Sequence, residues 1–264
     1  MYKTIVYEKA EGIATITMNR PETMNAINDL MRSEIYEAFD DAGSDDNAKV
    51  IIVTGAGQAF SSGADMQWFV DNWDKAKRGE INPALLELLS PKIVPLIRRI
   101  EKPIIASVNG PAVGFGASLC LNCDLRIASD LARFGFPFVK LAVSPEMGSS
   151  YFLPRLVGIP KALELMLTGR IIEAKEALSI GLVSQVVAVD QLKKVTYDLA
   201  DKFAKGPPIS IRMLKKAMYM GVDNDLNTQV QWESLTFKMC VQTEDHYEGL
   251  KAFLGKKKPH FRGK

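Results

Sequence analysis

The sequence contains little of what metal sites and disulfide frameworks are built from. Only three cysteines and two histidines occur in 264 residues. Cys120 and Cys123 form a C-x-x-C pair, but no second pair follows and both histidines lie near the C-terminus. A structural zinc ion needs about four ligands. The pair is therefore predicted to be two buried free thiols, and no metal is expected.

Net charge and long apolar runs are also lacking. A net charge of +2 indicates no nucleic acid or other acidic polymer as partner. No apolar run approaches the ~20 residues that a membrane span requires, and no signal peptide is recognisable. We therefore expect a cytoplasmic protein without a membrane partner. Hydrophobic residues at 47% and charged residues at 24% are ordinary values for a globular chain with a sizeable core.

The pattern of hydrophobic residues predicts a mixed α/β protein. Residues 3–8 and 13–18 alternate like the strands of a hairpin, and the Val/Ile-rich segment 50–54 is typical of a buried strand. After about residue 190 only helical patterns remain, near 190–205, 208–221, 225–240 and 243–254. We therefore predict a core unit, 1–190, and a helical C-terminal unit, 191–264.

Two glycine-containing turns stand out. In the stretch 107–119, a β-like segment is followed by glycines at 110, 114 and 116 and then by an apolar helix. This order leaves backbone N–H groups unpaired at the helix start, where they can stabilise an anion. Glycines chosen for sterics alone are the other explanation. The second turn, 59–66, also leads into a helix, which Asp65 is predicted to cap.

The two turns resemble those of a known family. Residues 59–66 match the Phe-x-x-Gly-Ala-Asp turn of the crotonase (enoyl-CoA hydratase/isomerase) superfamily, and 109–119 match its second glycine turn. Similar motifs continue to Phe261, so the resemblance covers nearly the whole chain. It implies an α/β fold, a β-β-α spiral with a helical C-terminal trimerisation region. It also implies an acyl-CoA substrate that carries its own coenzyme A, no further cofactor, and a homotrimer or a dimer of trimers.

The resemblance gives the two turns a chemical role. It implies that the backbone N–H groups of Ala64 and Phe115 bind the thioester oxygen as negative charge develops on it. Phe115 departs from the family, which usually has glycine there. Because the donor belongs to the backbone, the oxyanion hole can survive, provided that the ring points away. The ring then either shapes the acyl pocket or fills the core behind it.

The members of this superfamily catalyse different reactions with different catalytic acids, and this sequence lacks some of those acids. Ser118 and Phe138 stand where typical hydratases carry two glutamates, which puts two-carboxylate water addition in doubt. Glu146 remains. The residues alone favour a helix start, with Ser144 as N-cap and Pro145 at the first position. The resemblance to Δ3,Δ2-enoyl-CoA isomerases instead implies that Glu146 is the single catalytic base.

Coenzyme A contacts are carried over from the family position by position. The resemblance implies them at Ala26, Ser62, Asp65, Met66, Phe253 and Lys256. An exposed surface lysine is an equal explanation for Lys256. Trp68, Phe69 and Trp73 lie at helical spacing and belong either to the core or to a modified acyl pocket.

The resulting hypothesis is an enzyme of fatty acid metabolism that enolises an acyl-CoA. Its predicted reaction is the isomerisation of a 3-enoyl-CoA to the 2-enoyl-CoA. The first alternative is an enoyl-CoA hydratase that uses Glu146 with an ordered water. An acyl-CoA hydrolase with Glu146 as nucleophile and a non-catalytic acyl-CoA-binding protein are less favoured.

Overall fold

The computed structural model describes residues 2–80 and 92–264. In these residues nine strands follow one another along the chain: β1 (Ile5–Ala10), β2 (Ile13–Met18), β3 (Val50–Gly55), β4 (Ile104–Val108), β5 (Ala112–Val113), β6 (Leu125–Ser129), β7 (Arg133–Gly135), β8 (Ile171–Glu173) and β9 (Gln185–Val187). They form a six-stranded sheet in the order β1-β2-β3-β4-β6-β9 and a three-stranded sheet in the order β5-β7-β8.

Twelve α-helices are present in the described part of the chain. They are α1 (Asp29–Ser44), α2 (Met66–Asp71), α3 (Trp73–Lys77), α4 (Ile93–Arg99), α5 (Phe115–Asn122), α6 (Ser149–Val157), α7 (Ile159–Thr168), α8 (Ala174–Ser179), α9 (Val189–Ala204), α10 (Pro208–Asp223), α11 (Leu226–Val241) and α12 (Glu244–Leu254). Two short 3₁₀ turns lie at Pro21–Thr23 and Pro137–Leu141.

The predicted hairpin at the start of the chain is confirmed. β1 and β2 pair antiparallel, with Ile5 opposite Met18 and Ala10 opposite Ile13. The turn between them is Glu11-Gly12, and both residues have positive φ. A two-residue hairpin turn of this hand requires that conformation. The remaining neighbours in the six-stranded sheet, from β2 to β9, are parallel.

The α/β spiral is also confirmed. β4 in the large sheet is followed by β5 in the small sheet and then by α5, and β6 is followed in the same way by β7 and α6. After β3 the small sheet is represented by one bridge, in which Ser61 pairs with Ala112. Successive turns of the spiral therefore stack, and they bring the two glycine turns predicted from the sequence next to each other.

The large sheet is covered on both faces. One face packs against α1 and α4–α7 in the main core, whose largest buried side chains include Phe39, Phe60 and Phe134. On the other face, β2, β3, β4 and β6 present isoleucine and valine side chains to Leu192 and Ala200 of α9. Each large aliphatic side chain buried in this way stabilises the fold by about 1.5–3 kcal/mol. The division at residue 190 stays a prediction.

The four predicted C-terminal helices are confirmed as α9 to α12. A half-buried polar cluster joins them to the sheet. The carboxylate of Asp124 accepts hydrogen bonds from the Ile104 N–H and the Tyr219 hydroxyl, each at 2.7 Å, and pairs with Lys215 Nζ at 2.7 Å. Of the predicted helix 85–100, residues 85–91 lie outside the described residues, and the rest contains α4. None of the helices in the described ranges is long and apolar enough to cross a membrane.

Candidate functional site

The two glycine turns are held against each other by backbone hydrogen bonds. The N–H groups of Phe60 and Ser61 both donate to the Pro111 carbonyl, at 3.1 and 3.0 Å. In return, the Val113 N–H donates to the Ser61 carbonyl at 3.0 Å. Segment 59–66 therefore runs directly alongside the strand and helix start that carry Phe115.

The closest approach of the two turns is at Gly63. Its φ is +104°, and a Cβ placed there would lie 2.9 Å from the Val113 carbonyl oxygen and 3.7 Å from the Phe115 nitrogen. Only glycine combines this φ with such a close backbone contact. The residue after it is Ala64, so the two proposed donors come from neighbouring stretches of backbone.

Both donor groups are unpaired within the described ranges. Phe115 is the first residue of α5, where an N–H has no partner inside the helix. Ala64 lies between two paired groups, because the Gly63 carbonyl accepts from the Ile27 N–H and the Asp65 N–H donates to the Ile27 carbonyl. Neither the Ala64 nor the Phe115 N–H donates to any described residue. Both groups are available to an oxyanion, and the role itself stays a prediction.

The Phe115 ring belongs to the core. It is 1% exposed and lies in the main cluster with the other buried aromatic side chains. Of the two placements that the sequence left open, the structure has the ring filling the core behind the turn. The Phe115 side chain is thus buried at the start of α5.

Glu146 is not at a helix start, so the interpretation of Ser144 and Pro145 as a helix cap is wrong. α6 begins at Ser149, after Gly148 at the N-cap position. Glu146 lies in the irregular segment before it, followed by Met147 and Gly148, both at positive φ. A buried non-glycine residue in this conformation is uncommon and is often found at functional sites.

Hydrogen bonds hold the backbone on both sides of Met147. The Glu146 carbonyl accepts from the N–H and the hydroxyl of Ser149, at 3.0 and 2.7 Å. The Met147 carbonyl accepts from the Asn122 side-chain amide at 2.8 Å. Asn122 is the last residue of α5 and also donates to the Ser118 carbonyl one turn earlier. The segment that carries Glu146 is thus tied to the helix that begins at Phe115.

The Glu146 carboxyl is half-buried and accepts no hydrogen bond from any described residue. Burial raises its pKa above the ordinary value, and the positive charge of Arg32 opposes the rise. Desolvation disfavours the charged form of a carboxyl, which moves its pKa toward the range useful for proton shuttling. A carboxylate with free oxygens in this setting can act as a base.

The positions of the two usual hydratase acids are buried and uncharged. Phe138 is part of the main core, and Ser118 is fully buried on α5. The Ser118 hydroxyl and the Asn122 side-chain carbonyl, one helical turn apart, are both buried without a partner in the described ranges. Unpaired polar atoms in a protein interior are uncommon and often accompany an ordered water or a bound group.

Two of the predicted coenzyme A residues, Ala26 and Asp65, bind an arginine that the sequence interpretation missed. Arg20 Nη1 donates to the Ala26 carbonyl at 2.7 Å and to Asp65 Oδ2 at 3.1 Å. The Asp65 carboxylate therefore pairs with Arg20. Asp65 occupies the N-cap position of α2, as predicted, but its side chain makes no capping hydrogen bond there. The Ser62 N–H and hydroxyl donate to the carbonyls of residues 24 and 23, which places Ser62 in the same region.

The predicted coenzyme A residues near the C-terminus have no bond to that region in the described part of the chain. Phe253 on α12 is 83% exposed, and Lys256 is also exposed just after the helix. Among the described residues no hydrogen bond or ion pair joins either of them to segment 20–66. The coenzyme A roles of all six residues stay predictions.

The tryptophans of α2 and α3 do not form one buried stripe. Trp73 is 65% exposed, so placing it in the core is wrong, and Met66 is also exposed. Trp68 is half-buried, and the side chain of Phe69 lies outside what the structure describes. Residues 81–91, which follow these helices, lie outside it too.

The C-x-x-C pair consists of two buried free thiols, as predicted. Burial raises the pKa of the Cys123 thiol to about 12 and moves that of Cys120 in the same direction. Neither thiol is a ready nucleophile or metal ligand at neutral pH. In residues 2–80 and 92–264 no group of His, Cys, Asp and Glu side chains has the arrangement of a metal site.

Arg32 is the second residue that the sequence interpretation missed, although a signal for it was present. It lies on α1 beside Met31 and Ile35, on the side that packs into the core, and it is 3% exposed. A charged residue on the apolar side of an amphipathic helix is unusual, because its burial is costly without a partner.

Comparison with known proteins agrees with this geometry. The family model "Enoyl-CoA hydratase/isomerase" matches residues 8–264. A crotonyl-CoA hydratase of Syntrophomonas wolfei is 37% identical over 100% of this chain and 99% of its own. A 1,2-epoxyphenylacetyl-CoA isomerase of Escherichia coli is 33% identical, with 100% of both chains covered.

The fold is matched by solved structures as well. The crystal structure of an enoyl-CoA hydratase subunit from Geobacillus kaustophilus superimposes with a TM-score of 0.89 at 36% identity, covering 100% of this chain and 99% of that one. Both the sequence match and the structural match therefore extend over the sheet, the two glycine turns and the C-terminal helices. The chain belongs to the enoyl-CoA hydratase/isomerase family and is an enzyme of the crotonase superfamily.

Proposed function

We propose that this enzyme moves the double bond of a 3-enoyl-CoA to the 2 position, with Glu146 as its single acid–base group. The observation that carries the proposal is the acid content of the site. Ser118 and Phe138 supply no carboxylate, whereas the Glu146 carboxyl is half-buried, has a raised pKa and accepts no hydrogen bond from the described residues. One carboxylate suffices for a 1,3-proton shift.

In the proposed reaction the Glu146 carboxylate removes a proton from C2 of the 3-enoyl thioester. The C2–H electron pair forms a C1–C2 double bond as the carbonyl π pair moves to the thioester oxygen, which gives a dienolate that retains the C3–C4 double bond. The Ala64 and Phe115 N–H groups stabilise that oxygen most strongly when the charge is fully developed. Protonated Glu146 then returns the proton at C4, which gives the 2-enoyl-CoA and restores the carboxylate. When C4 is protonated, the C3–C4 π pair forms the new C4–H bond, the C1–C2 pair becomes the C2–C3 double bond and the carbonyl is restored.

The substrate class follows from the same site. We propose that the coenzyme A part of the substrate lies along the backbone of Ala26, Ser62, Asp65 and Met66, beside Arg20. Phe253 and Lys256 would reach the adenosine end from a neighbouring subunit, since no hydrogen bond or ion pair among the described residues joins them to segment 20–66. No cofactor other than the coenzyme A of the substrate is proposed.

A homotrimer, alone or as a dimer of trimers, is part of this proposal. α10 carries exposed Leu214, Met218 and Val222 at four-residue spacing, and α11 carries exposed Phe237. An apolar helix face of this kind on a globular protein indicates a protein–protein interface. Light scattering after size-exclusion chromatography would test it, and a monomer at micromolar concentration would contradict it.

Hydration is the second candidate, and a specific observation favours it. The Ser118 hydroxyl and the Asn122 carbonyl are buried, one turn apart and unpartnered among the described residues. Two such groups can hold a water, and Glu146 could activate that water for addition at C3. The similarity to a protein named crotonyl-CoA hydratase supports the same candidate.

The test compares the two reactions directly in ²H₂O. We expect 2-enoyl-CoA to form from 3-enoyl-CoA faster than 3-hydroxyacyl-CoA forms from 2-enoyl-CoA. Partial retention of the C2 hydrogen at C4 would show one carboxylate carrying it across. Rapid hydration without detectable double-bond migration would contradict the isomerase proposal and favour the second candidate.

Glu146→Gln is expected to lower turnover by at least ~10²-fold while acyl-CoA binding is retained, because a general base contributes on this scale. Glu173→Gln is the matched control, since Glu173 is an exposed glutamate that makes no capping hydrogen bond. Ser118→Ala separates the candidates further: it should leave migration intact and abolish any hydration that depends on a water held there. Near-normal turnover in Glu146→Gln would refute the assignment of the base.

A further inference from the structure

Asn122 connects the two parts of the candidate site by a direct hydrogen bond. It is the last residue of α5 and is 1% exposed. Its side-chain nitrogen donates to the Ser118 carbonyl of the same helix and to the Met147 carbonyl, each at 2.8 Å. The second bond spans 25 residues of sequence and ends directly after Glu146. Asn122 therefore ties the helix that begins at Phe115 to the segment that carries Glu146.

The orientation of the Asn122 amide is fixed by its neighbours. Both atoms at 2.8 Å are carbonyl oxygens, which accept hydrogen bonds and cannot donate them, so the amide nitrogen has to face them. The amide oxygen is then left buried without a partner among the described residues. A buried unpaired acceptor lowers stability, and an apolar side chain would avoid that cost. Fold stability alone therefore does not account for an amide at this position.

The Met147 carbonyl that Asn122 binds belongs to a left-handed turn. Met147 has a φ of +55° and Gly148 one of +69°, and the Met147 side chain is fully buried. A non-glycine residue keeps this conformation only where its surroundings hold it. On one side of Met147, the N–H and the hydroxyl of Ser149 donate to the Glu146 carbonyl at 3.0 and 2.7 Å. On the other side, the bond from Asn122 holds the next peptide group.

These bonds matter for Glu146 because its carboxyl accepts no hydrogen bond from a described residue. Its direction therefore depends on the backbone that carries it. At the other end of α5 lies Phe115, whose N–H is the predicted oxyanion donor. Phe115 and Asn122 are the first and last residues of this helix, about 10 Å apart along its axis. The bond to Met147 thus places Glu146 relative to a rigid element that also carries the donor.

We propose that Asn122 is a positioning residue for the site: by binding the Met147 carbonyl it holds the Glu146 carboxyl at a fixed distance from the Phe115 N–H. The inference rests on the proposed function in taking Glu146 as the base. The base acts on C2 of the acyl group and the donor acts on the thioester oxygen of the same molecule. Their separation therefore has to match the substrate.

The test substitutes Asn122 by threonine, which is of similar size. Its hydroxyl lies one bond closer to the backbone than the amide nitrogen and binds the carbonyl one turn earlier in a helix. Asn122→Thr therefore keeps the bond to Ser118 and loses the bond to Met147. Thr196→Val is the matched control. The buried Thr196 hydroxyl is 3.0 Å from that of Ser107 and joins α9 to β4, on the face of the large sheet that α9 covers.

In Asn122→Thr we expect kcat to fall about tenfold or more, for whichever of migration or hydration the unchanged enzyme catalyses. KM for the acyl-CoA should stay within about threefold, because the proposed coenzyme A contacts lie on other segments. Thr196→Val should keep both constants. Both variants lose one buried hydrogen bond between two elements, so both should melt at a lower temperature. A residue that only supports the fold would lower the melting temperature without lowering kcat.

Crystal structures of the unchanged enzyme and of both variants provide a second measurement that needs no turnover. The quantity compared is the distance from the Glu146 carboxyl to the Phe115 nitrogen. We expect it to change in Asn122→Thr, as the Met147 carbonyl turns away from α5, and to stay the same in Thr196→Val. If Asn122→Thr does not fold, Asn122→Ser, which is smaller and carries the same single hydroxyl, is measured in the same way.

The role of Asn122 and the role of Glu146 can fail separately. If Glu146→Gln is inactive, a folded Asn122→Thr protein with kcat within about twofold of the unchanged enzyme overturns the inference. An unmoved Glu146 in its crystal structure overturns it as well. If Glu146→Gln instead keeps its activity, a displaced Glu146 in Asn122→Thr refutes the assignment of the base and leaves the structural role of Asn122 standing.

Discussion

Replacing Gly116 by alanine tests the contact that holds the two halves of the predicted oxyanion hole together. Gly116 is the second residue of α5, directly after Phe115. A Cβ at this position would lie 2.7 Å from both the Cβ and the carbonyl oxygen of Ser61, about 0.7 Å short of the 3.4 Å at which ordinary contacts begin. Because these are backbone and near-backbone atoms, no side-chain rotation relieves the overlap.

Two opposing terms set the size of the effect. Replacing glycine by alanine inside a helix raises the free energy of unfolding by up to about 1 kcal/mol. Overpacking of this kind lowers it by about 1–3 kcal/mol. We expect a net destabilisation of about 1–2 kcal/mol and a fall in melting temperature of a few degrees. The larger effect should be on turnover. Displacing α5 from Ser61 separates the Phe115 N–H from the Ala64 turn, and a misplacement of about 1 Å can lower the rate about 10²-fold.

The assay is kcat/KM for whichever of migration or hydration the unchanged enzyme catalyses, together with thermal unfolding. Gly249→Ala is the matched control. Gly249 also lies in a helix, α12, but a Cβ there would lie at an ordinary contact distance of 3.6 Å from the Phe261 ring. That variant should keep its activity. Unchanged turnover in Gly116→Ala, with an unchanged melting temperature, would show that close packing of α5 on Ser61 does not set the geometry of the site.

Two further predictions concern single side chains. Glu146→Gln should unfold at a higher temperature than the unchanged protein at pH 7–8. A carboxyl whose folded pKa is raised favours the fold fully only below its ordinary value near 4.5 and loses that contribution as the pH rises through the folded pKa. In calorimetry the difference in melting temperature between the two proteins should vanish near pH 4. A lower melting temperature of the glutamine variant at neutral pH would contradict this prediction. Phe115→Gly should lower the free energy of unfolding, measured in urea, by about 3–5 kcal/mol because the ring is buried. Phe115→Leu should keep the backbone donor, the fold and the activity. A stable but inactive leucine variant would show that the ring acts on the acyl group.

Much of the fold was predictable because it depends on local patterns. The alternation in β1 and β2, with Glu11-Gly12 between them, predicts a hairpin, and the continuous Val/Ile content of β3 predicts a strand buried on both faces. The helical periodicity after residue 190 located α9 to α12 to within a few residues. These signals survive in a single sequence because side-chain periodicity and turn chemistry act over a few neighbouring residues.

The environment of Glu146 was not predictable in this way. Ser144-Pro145-Glu146 has every local feature of a helix start, yet Met147 and Gly148 take up positive φ and α6 begins later, at Ser149. That conformation is fixed by hydrogen bonds to Asn122 and Ser149, one of which comes from a distant part of the chain. Tertiary contacts outweighed the local capping preference, which amounts to about 1 kcal/mol.

The sequence by itself determined the order of the elements, the identity of the two glycine turns and the acids that the site can contain. Only the tertiary structure decided that the Phe115 ring lies in the core, that Asp65 pairs with Arg20, and that Arg32 is buried. The division has a physical reason. Strands, turns and helices follow from interactions between near neighbours, whereas burial and the pKa of a carboxyl depend on charges and surfaces that folding brings together across more than a hundred residues.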